Sequence, residues 1–269
     1  MSLRIFQEIL KNNSRQKKIL CIGLDSDISK LPRGQTQLSF NQAIVEATFD
    51  QVAAFKPNSA FYEAEGLAGL EALQKTIRFI HEKAPQALVI LDAKRGDIGN
   101  TSRAYAQAAF EDIGADAVTL NPYLGGEALQ PFLDYKDKGC FILCRTSNLG
   151  GKEFQDLDVG GEPLYVRVAR QVSGKWNKNK NCGLVMGATY PEELKKVREV
   201  VGNLPFLVPG VGEQGGDLNA TLQNGSDSNG AGLLINLSRS VLFASSGHDF
   251  AQAAREKILS LLRPLQNAT

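Results

Sequence analysis

The stretch that decides the fold runs from residue 88 to residue 97 and reads LVILDAKRGD. Its first four residues are apolar without interruption, which is typical of a strand covered on both faces in a parallel sheet. Charged residues begin at Asp92, where the apolar run ends. Before this strand, residues 63–84 carry apolar side chains at three- and four-residue spacing, which predicts an amphipathic helix. Residues 63–97 are therefore predicted to form a helix followed by a buried strand whose carboxyl end is charged.

The same unit recurs along the chain. Candidate strands lie at residues 19–25, 52–57, 88–92, 117–121, 140–145, 183–187, 205–208 and 232–236. Helix-like stretches between and after them lie at 63–84, 102–110, 126–134, 163–175, 191–201 and 249–262. Repeated strand–helix units in 269 residues predict an α/β fold, a (β/α)8 or TIM barrel forming a single domain over residues 1–269. An open doubly wound sheet is the alternative on periodicity alone. Apolar spacing near the start predicts a further helix at about residues 2–14.

Composition excludes several classes of function. The 30 Lys and Arg against 29 Asp and Glu argue against a nucleic-acid or acidic-lipid partner, since both need a basic excess. Two histidines are too few for a His-rich zinc site or a His-based triad. Four cysteines without a CxxC pair indicate buried free thiols in a reducing cytoplasm. No apolar stretch approaches the roughly 20 residues that a membrane span needs.

The carboxyl end of the third strand predicts charge chemistry, because barrel enzymes build their sites at these ends. Alternation along the strand places Asp92 and Lys94 on the same side. Buried charges are costly unless they are paired, so the two could form a structural ion pair at the barrel mouth. Alternatively, neighbouring carboxylates keep Lys94 a cation that stabilises negative charge. That chemistry suits a reaction that passes through a carbanion.

The first two strands also end in charged residues, Asp25 and Lys56. Asp25 and Asp92 could hold Mg²⁺ through their oxygens. A lysine reaching the same mouth opposes a metal there, so we expect no metal site. A purely structural lysine at the barrel rim is the alternative for Lys56.

The loops after strands 7 and 8 predict phosphate binding, as in many barrels. Residues 209–216 read PGVGEQGG, and Arg239 follows one strand later. Glycine-rich backbone brings N–H groups close to an anion, and Gln214 and Arg239 can add side-chain contacts. Tight turns that need glycine are the alternative. Residues 210–215 also match GxGxxG, but the acidic residue that a dinucleotide fold wants about 20 positions later is missing.

The charged stretch resembles the DxKxxD signature of the orotidine 5′-phosphate decarboxylase family. Residues 91–106, LDAKRGDIGNTSRAYA, resemble its bacterial branch, which has Arg after the signature Lys. Residues 23–25 and 55–57 resemble the family's first and second strands, residues 209–217 its seventh loop, and Arg239 its phosphate arginine. The matches span nearly the whole chain in the family's order.

The resemblance implies a function and an assembly. The family decarboxylates orotidine 5′-monophosphate to uridine 5′-monophosphate, the last step of de novo pyrimidine synthesis. It uses no metal or organic cofactor. Its members are (β/α)8 barrels that act as homodimers, with the last Asp of the signature reaching into the partner's site.

The resemblance also implies residue roles. Lys94 would stabilise the carbanion at pyrimidine C6 and deliver the proton, while Asp92 would crowd the departing carboxylate and hold Lys94. Asp97 would complete the charged set from the other subunit, and Asp25 and Lys56 would bind the ribose hydroxyls and hold the set in place. The implied substrate-binding residues are Asp25 and Thr101 for the ribose, Ser147 for the pyrimidine, and Pro209, Gln214, Ser238 and Arg239 around the phosphate. Thr101, like Asp97, would act across the dimer interface.

The chain departs from the family pattern at one phosphate-site position. Ser238 stands where the family often has glycine, so its hydroxyl either adds a contact or crowds one.

Two alternative functions are weighed against this resemblance. The Mg²⁺-dependent relatives, 3-keto-L-gulonate 6-phosphate decarboxylase and hexulose 6-phosphate synthase, carry a metal-binding Glu where this chain has Lys56. A non-catalytic nucleotide-binding barrel would have lost part of the charged set, and here Asp92, Lys94 and Asp97 are all present.

Overall fold

A closed barrel of parallel strands forms the centre of the molecule. The structure is a computed structural model that describes residues 3–212 and 215–266. Within these residues the barrel strands are β1 (Leu20–Leu24), β2 (Ala54–Pro57), β3 (Leu88–Arg95), β4 (Ala117–Leu120), β5 (Gly139–Arg145), β6 (Cys182–Met186), β7 (Phe206–Pro209) and β8 (Leu233–Leu237). Each strand pairs in parallel with the next, and β8 returns to β1. The predicted (β/α)8 barrel is confirmed, and the open-sheet alternative is wrong.

Helices cover the outside of the barrel. They are α1 (Phe6–Arg15), α2 (Gln37–Thr48), α3 (Ser59–Glu63), α4 (Gly66–Lys83), α5 (Gly99–Gln107), α6 (Gly126–Leu133), α7 (Leu164–Gln171), α8 (Pro191–Val201), α9 (Leu218–Gly225), α10 (Arg239–Leu242) and α11 (Phe250–Gln266). Short 3₁₀ or π turns lie at Ile28–Lys30, Ala108–Asp112, Pro122–Leu124, Leu149–Glu153 and Val172–Trp176. No helix in the described part of the chain is both long and apolar enough to cross a membrane.

Two apolar layers hold the barrel together, and β3 contributes to both. Val89 and Leu91 belong to the large cluster between the strands and the helices. Leu88 and Ile90 belong to the smaller cluster inside the barrel, together with Phe141 of β5. Each fully buried side chain of this kind contributes about 1.5–3 kcal/mol to the stability of the fold. The alternation along β3 decides which of its residues point to the barrel axis and which to the helices.

The amino end of the barrel is closed by α1. The Phe6 ring lies edge-on to Phe141, with ring centroids 5.8 Å apart. The Asn13 side chain donates hydrogen bonds of 3.0 Å to the carbonyls of Ala53 and Gln86. The helix begins at Phe6 rather than at residue 2, because Ile5 before it has an extended backbone. The carboxyl end, where the charged residues lie, is therefore the accessible end.

Candidate active site

The carboxyl ends of β1, β2, β3, β7 and β8 surround a cavity of about 150 Å³. Its lining is mostly polar: Asp25, Lys56, Asp92, Pro209, Gly210, Val211, Asn236, Ser238, Arg239 and Ser240. A larger groove of about 470 Å³ lies on the outside of the molecule, against α2 and α4. None of the charged residues predicted to act lines that groove, so the mouth of the barrel is the candidate site.

Four charged side chains meet at the mouth. Lys56 is nearly inaccessible, and its Nζ lies 2.9 Å from Oδ2 of Asp92 and 4.0 Å from Oδ1 of Asp25. The Nζ of Lys94 lies 2.8 Å from Oδ1 of Asp92. Asp92 therefore bridges two ammonium groups, one buried and one half-exposed. The structure brings together the predicted residues Asp25, Lys56, Asp92 and Lys94.

These contacts fix the charges of the buried pair. Burial by itself would raise the pKa of Asp92, but the positive charges of Lys56 and Lys94 outweigh it and hold the pKa well below its usual range. Burial would lower the pKa of Lys56, but Asp92 and Asp25 outweigh it and raise the pKa above its usual value. Both groups are therefore ionised at neutral pH, and the site holds a fixed pattern of charge.

Sequence reasoning missed Thr119, which lies beside this set on β4. Its hydroxyl donates a 2.9 Å hydrogen bond to Oδ1 of Asp92 and accepts a 2.9 Å bond from the backbone N–H of Lys94. The available signal was a lone polar residue inside the fourth strand, with Val118 and Leu120 on either side.

Asp97 and Thr101 lie at the rim, where β3 leads into α5. Oδ1 of Asp97 accepts a hydrogen bond from the backbone N–H of Ile98, at 2.8 Å. Within the described residues Asp97 forms no ion pair with Lys56 or Lys94, and Thr101 is exposed. A single chain thus leaves these two predicted site residues outside the charged set.

Ser147 lies at the start of the loop after β5, and its position is fixed from two directions. Arg145, fully buried just before it, places its Nε 2.7 Å from Oδ1 of Asp156 further along the same loop. The guanidinium also stacks 4.0 Å from the centroid of the Tyr190 ring. On the other side Gly187 follows β6, where a Cβ would lie 2.7 Å from the backbone N of Ser147. The loop is anchored by Arg145 and packed against bare backbone.

The remaining predicted residues lie on the other side of the cavity. Pro209 ends β7, while Ser238 and Arg239 follow β8, and all three line the cavity. Ser238 is accommodated because Gly23 faces it: a Cβ at Gly23 would lie 2.0 Å from the serine Oγ. Gln214 lies outside the residues that the structure describes.

Asn236 on β8 is a second lining residue that was given no role from the sequence. Its Nδ2 donates to Oγ of Ser238 at 3.3 Å, and its Oδ1 lies 3.7 Å from Sγ of Cys21. It thereby links the interior of the barrel to the turn that carries Arg239.

The donor set at the mouth does not suit a metal ion. The two carboxylates that could share a divalent cation, Asp25 and Asp92, have the ammonium of Lys56 between them. Among the described residues, no group of three or more His, Cys, Asp or Glu side chains is placed to hold a metal. The position a cation would take is therefore filled by the chain's own positive charge.

Fold and site together define a (β/α)8 barrel with an alternating Asp–Lys set at the carboxyl ends of its first three strands. The chain belongs to the orotidine 5′-phosphate decarboxylase / HUMPS family, whose sequence profile matches residues 18–256.

Similar proteins bear this out over nearly the whole length. A protein of Herpetosiphon aurantiacus, named orotidine 5′-phosphate decarboxylase, is 52% identical over 256 residues, covering 93% of each chain. One of Cellvibrio japonicus with the same name is 49% identical and covers 98% of each. The solved structure of Leishmania donovani OMP decarboxylase superposes with a TM-score of 0.82 at 41% identity, covering 96% of this chain and 98% of that one.

Proposed function

We propose that the chain is a carboxy-lyase that converts orotidine 5′-monophosphate to uridine 5′-monophosphate, the last step of de novo pyrimidine synthesis. The observation that carries this function is the set of Lys94, Asp92, Lys56 and Asp25 at the barrel mouth. Relatives that carry the decarboxylase name are 49–52% identical over more than nine-tenths of the chain, which supports the same activity here.

The reaction needs a fixed cation beside the reacting carbon. When the bond between C6 and the carboxylate breaks, CO₂ leaves and the electron pair stays on C6, in an orbital that the ring cannot delocalise. A preorganised positive charge in a site with little water is then the main source of stabilisation. In the proposed mechanism the ammonium of Lys94 faces C6 and transfers a proton to it, and Lys94 regains a proton from solvent.

The carboxylates give the set its direction. Oδ1 of Asp92, 2.8 Å from the Nζ of Lys94, holds the ammonium in place. The negative charge of Asp92 also repels the substrate carboxylate, and this repulsion is relieved when CO₂ departs. Lys56, held by Asp92 and Asp25, keeps the Asp92 carboxylate ionised without a metal ion. We accordingly propose that the reaction uses no metal and no organic cofactor.

The rest of the mouth is proposed to hold the nucleotide. Oδ1 of Asp25 is buried without a hydrogen-bond partner among the described residues, which suits a ribose hydroxyl as donor. Ser147 would bind the pyrimidine from the opposite loop. Pro209, Gln214, Ser238 and Arg239 would surround the phosphate. Binding energy from the distant phosphate can support closure of a loop and so raise the rate as well as the affinity.

The active form is proposed to be a homodimer in which Asp97 and Thr101 act in the partner's site. Beside them the rim carries large exposed apolar side chains: Ile98 is 60% exposed and Tyr123 is 81% exposed. Their exposed apolar surface supports a contact with a second copy at this rim. A second copy placed there would bring its Asp97 and Thr101 to a charged set that, within one chain, includes neither residue.

We further propose that residues 1–269 act as one catalytic domain, located in the cytoplasm. Cys21, Cys140, Cys144 and Cys182 are free and buried, which suits a reducing compartment. Burial raises the pKa of the Cys21 thiol to about 12, so this group inside the barrel stays neutral.

The activity is tested by following the ultraviolet absorbance of orotidine 5′-monophosphate with EDTA present. The parent enzyme is expected to turn over, and Lys94→Ala to lose on the order of 10⁴-fold in kcat, because one group serves as both cation and proton donor. Lys75→Ala is the matched control, since Lys75 lies on α4, away from the mouth, and forms an ion pair with exposed Glu71. It is expected to match the parent.

Other outcomes would overturn the proposal. A folded, dimeric protein without turnover would exclude this reaction. Activity on sugar phosphates that needs added Mg²⁺ would favour the metal-dependent relatives instead. Tight binding of uridine 5′-monophosphate without turnover would point to a non-catalytic barrel.

The dimer is tested by mixing two inactive variants, Lys94→Ala and Asp97→Ala, so that their subunits exchange. If Asp97 acts across the interface, each mixed dimer contains one complete site, and about a quarter of the parental activity returns. If Asp97 acts within its own chain, no mixed site is complete. Failure to regain activity in proven mixed dimers would then refute the shared site.

A further inference from the structure

Thr119 occupies the point where the charged set and the backbone of β3 meet. The residue lies within β4 and is 1% exposed. Its hydroxyl contacts two different parts of the neighbouring strand, the side chain of Asp92 and the main chain of Lys94. A hydroxyl has one hydrogen to donate and two lone pairs to accept with, so it can serve both partners at once.

The strand beside Thr119 departs from regular pairing. Leu91 pairs with Val118 and Arg95 pairs with Leu120, so three residues of β3 lie opposite the single residue Thr119. Within this bulge Lys94 has φ of 46°, a left-handed conformation that a residue with a Cβ rarely adopts. Such a conformation costs about 1–2 kcal/mol and persists only where its surroundings impose it.

The Thr119 hydroxyl is the side-chain contact that holds this conformation. The backbone N–H of Lys94 points at its Oγ1, at 2.9 Å, in place of a strand partner. The same Oγ1 donates to Oδ1 of Asp92, which also accepts from the Nζ of Lys94 at 2.8 Å. Backbone and side chain of Lys94 are thus both tied, through one hydroxyl and one carboxylate oxygen, to β4.

We propose that Thr119 is a positioning residue, which holds the bulged backbone of Lys94 and the carboxylate of Asp92 in the geometry that places the Lys94 ammonium against Asp92 at the mouth of the cavity. This inference rests on the proposed function, in which that ammonium faces C6. An ammonium has three hydrogens, and Asp92 takes one of them. Fixing that one bond leaves the other two directed by the backbone that Thr119 anchors.

The test compares Thr119→Val with Thr119→Ser in the full-length enzyme. Valine keeps the shape of threonine without the hydroxyl, whereas serine keeps the hydroxyl without the methyl group. Thr119→Val is expected to lower kcat by about 10- to 100-fold and to leave KM within about threefold. Thr119→Ser is expected to retain kcat within about threefold of the parent.

The control is Thr48→Val, the same change at a buried threonine of α2 whose hydroxyl donates to the carbonyl of Ile44. It is expected to leave kcat unchanged. Binding of uridine 5′-monophosphate, measured by calorimetry, separates positioning from general damage. We expect the product to bind Thr119→Val as it binds the parent, because the ribose and phosphate contacts lie on other strands.

Two results would overturn the inference. In one, Thr119→Val decarboxylates as fast as the parent. In the other, Thr119→Val and Thr119→Ser lose activity equally, which would assign the loss to packing. Both require an active parent enzyme, so they are distinct from failure of the proposed function, in which the parent itself does not turn over.

Discussion

Two aspartates at opposite ends of the barrel, one fully and one largely buried, make the most informative comparison in this molecule. Asp116, just before β4, lies at the amino end, and Asp92, in β3, lies at the carboxyl end. Each is held by two basic side chains and by a further hydrogen-bond donor. Their partners differ in kind, and that difference separates the stabilising end of the barrel from the chemical end.

At the amino end every partner of Asp116 is fixed. The Arg4 guanidinium donates to both of its oxygens, at 2.8 and 2.7 Å, and also reaches two backbone carbonyls. The backbone N–H of Val89 donates at 2.8 Å, and Nε2 of His81 lies 3.5 Å away. Burial would raise the pKa of Asp116, but the hydrogen bonds from Arg4, together with the nearby His81, outweigh it and lower the pKa to about 2. This carboxylate ties the segment before α1 to the barrel.

At the carboxyl end the partners of Asp92 are lysines, and one of them is half-exposed. A guanidinium never releases its proton in a protein, whereas an ammonium can. The backbone is also strained here, with Lys94 at φ of 46°. The molecule therefore uses a rigid arginine fork where it needs stability, and a strained lysine where it needs a movable proton.

The largest effect is expected from changing Lys94 to glycine and to alanine. Both variants should lose on the order of 10⁴-fold in kcat, since neither has an ammonium. Glycine adopts positive φ without penalty, so Lys94→Gly should be more stable than Lys94→Ala by about 1 kcal/mol. Urea unfolding of the two variants measures this difference.

Ala93, the preceding residue, provides the control because its φ is not positive. There the change to glycine should lower the free energy of unfolding by about 0.5–1 kcal/mol, the usual direction. If Lys94→Gly were less stable than Lys94→Ala, the positive φ of residue 94 would not strain the backbone at the carboxyl end of the barrel.

The second effect is a loss of stability without a loss of activity. Asp116→Asn removes the buried charge from the amino end and replaces one of the four oxygens that accept from Arg4 by an NH₂ group, which cannot accept. The free energy of unfolding should fall by about 3 kcal/mol at pH 7, as when one member of a buried ion pair is removed. kcat and KM should stay within about twofold, because the charged set at the mouth is untouched.

The parent and Asp116→Asn differ in free energy of unfolding, and the pH dependence of this gap follows from the pKa of Asp116. Its folded-state value of about 2 lies below the unfolded value of 3.8, so the carboxylate adds stability above pH 4 and loses it as the pH falls toward 2. The parent and Asp116→Asn should therefore converge by about 2 kcal/mol between pH 5 and pH 2. A gap that stays constant over this range would exclude Asp116 as the titrating group.

Much of the barrel could be predicted because its strands are short, apolar and covered on both faces. β3 was expected to end at Asp92 and continues to Arg95. Asp92 and Lys94 do meet, but through a bulge and a left-handed residue rather than through regular alternation. A local pattern could not show this, since the contact that imposes it comes from Thr119, 25 residues further along the chain.

Helix α2 is an element that the sequence analysis did not predict, since it placed no helix between the first two strands. Its buried face includes polar residues, among them Gln37, Asn41 and Thr48. Asn41 donates to the Tyr62 hydroxyl and to Thr76 in the neighbouring helices. These polar residues share the buried face with Phe40, Ile44 and Val45, so the apolar stripe is interrupted and its periodicity is weak.

The smallest effect concerns two glycines, one at each end, where another part of the chain packs against bare backbone. At the carboxyl end a Cβ on Gly187 would lie 2.7 Å from the backbone N of Ser147. At the amino end a Cβ on Gly139 would lie 2.5 Å from the ring of Phe6 in α1. Each change to alanine should cost about 1–3 kcal/mol of stability, because the neighbour must move.

Only the change at the mouth should affect catalysis. Gly187→Ala displaces the backbone of Ser147 and should raise KM by about tenfold, or 1.4 kcal/mol of lost binding. Gly139→Ala displaces α1 and should leave KM and kcat at parental values. Gly174→Ala, where a Cβ meets no other atom within 4 Å, controls for the substitution itself. A parental KM in all three variants would show that Ser147 does not contact the pyrimidine. An equal rise in KM for Gly187→Ala and Gly139→Ala would show that the two ends are mechanically coupled.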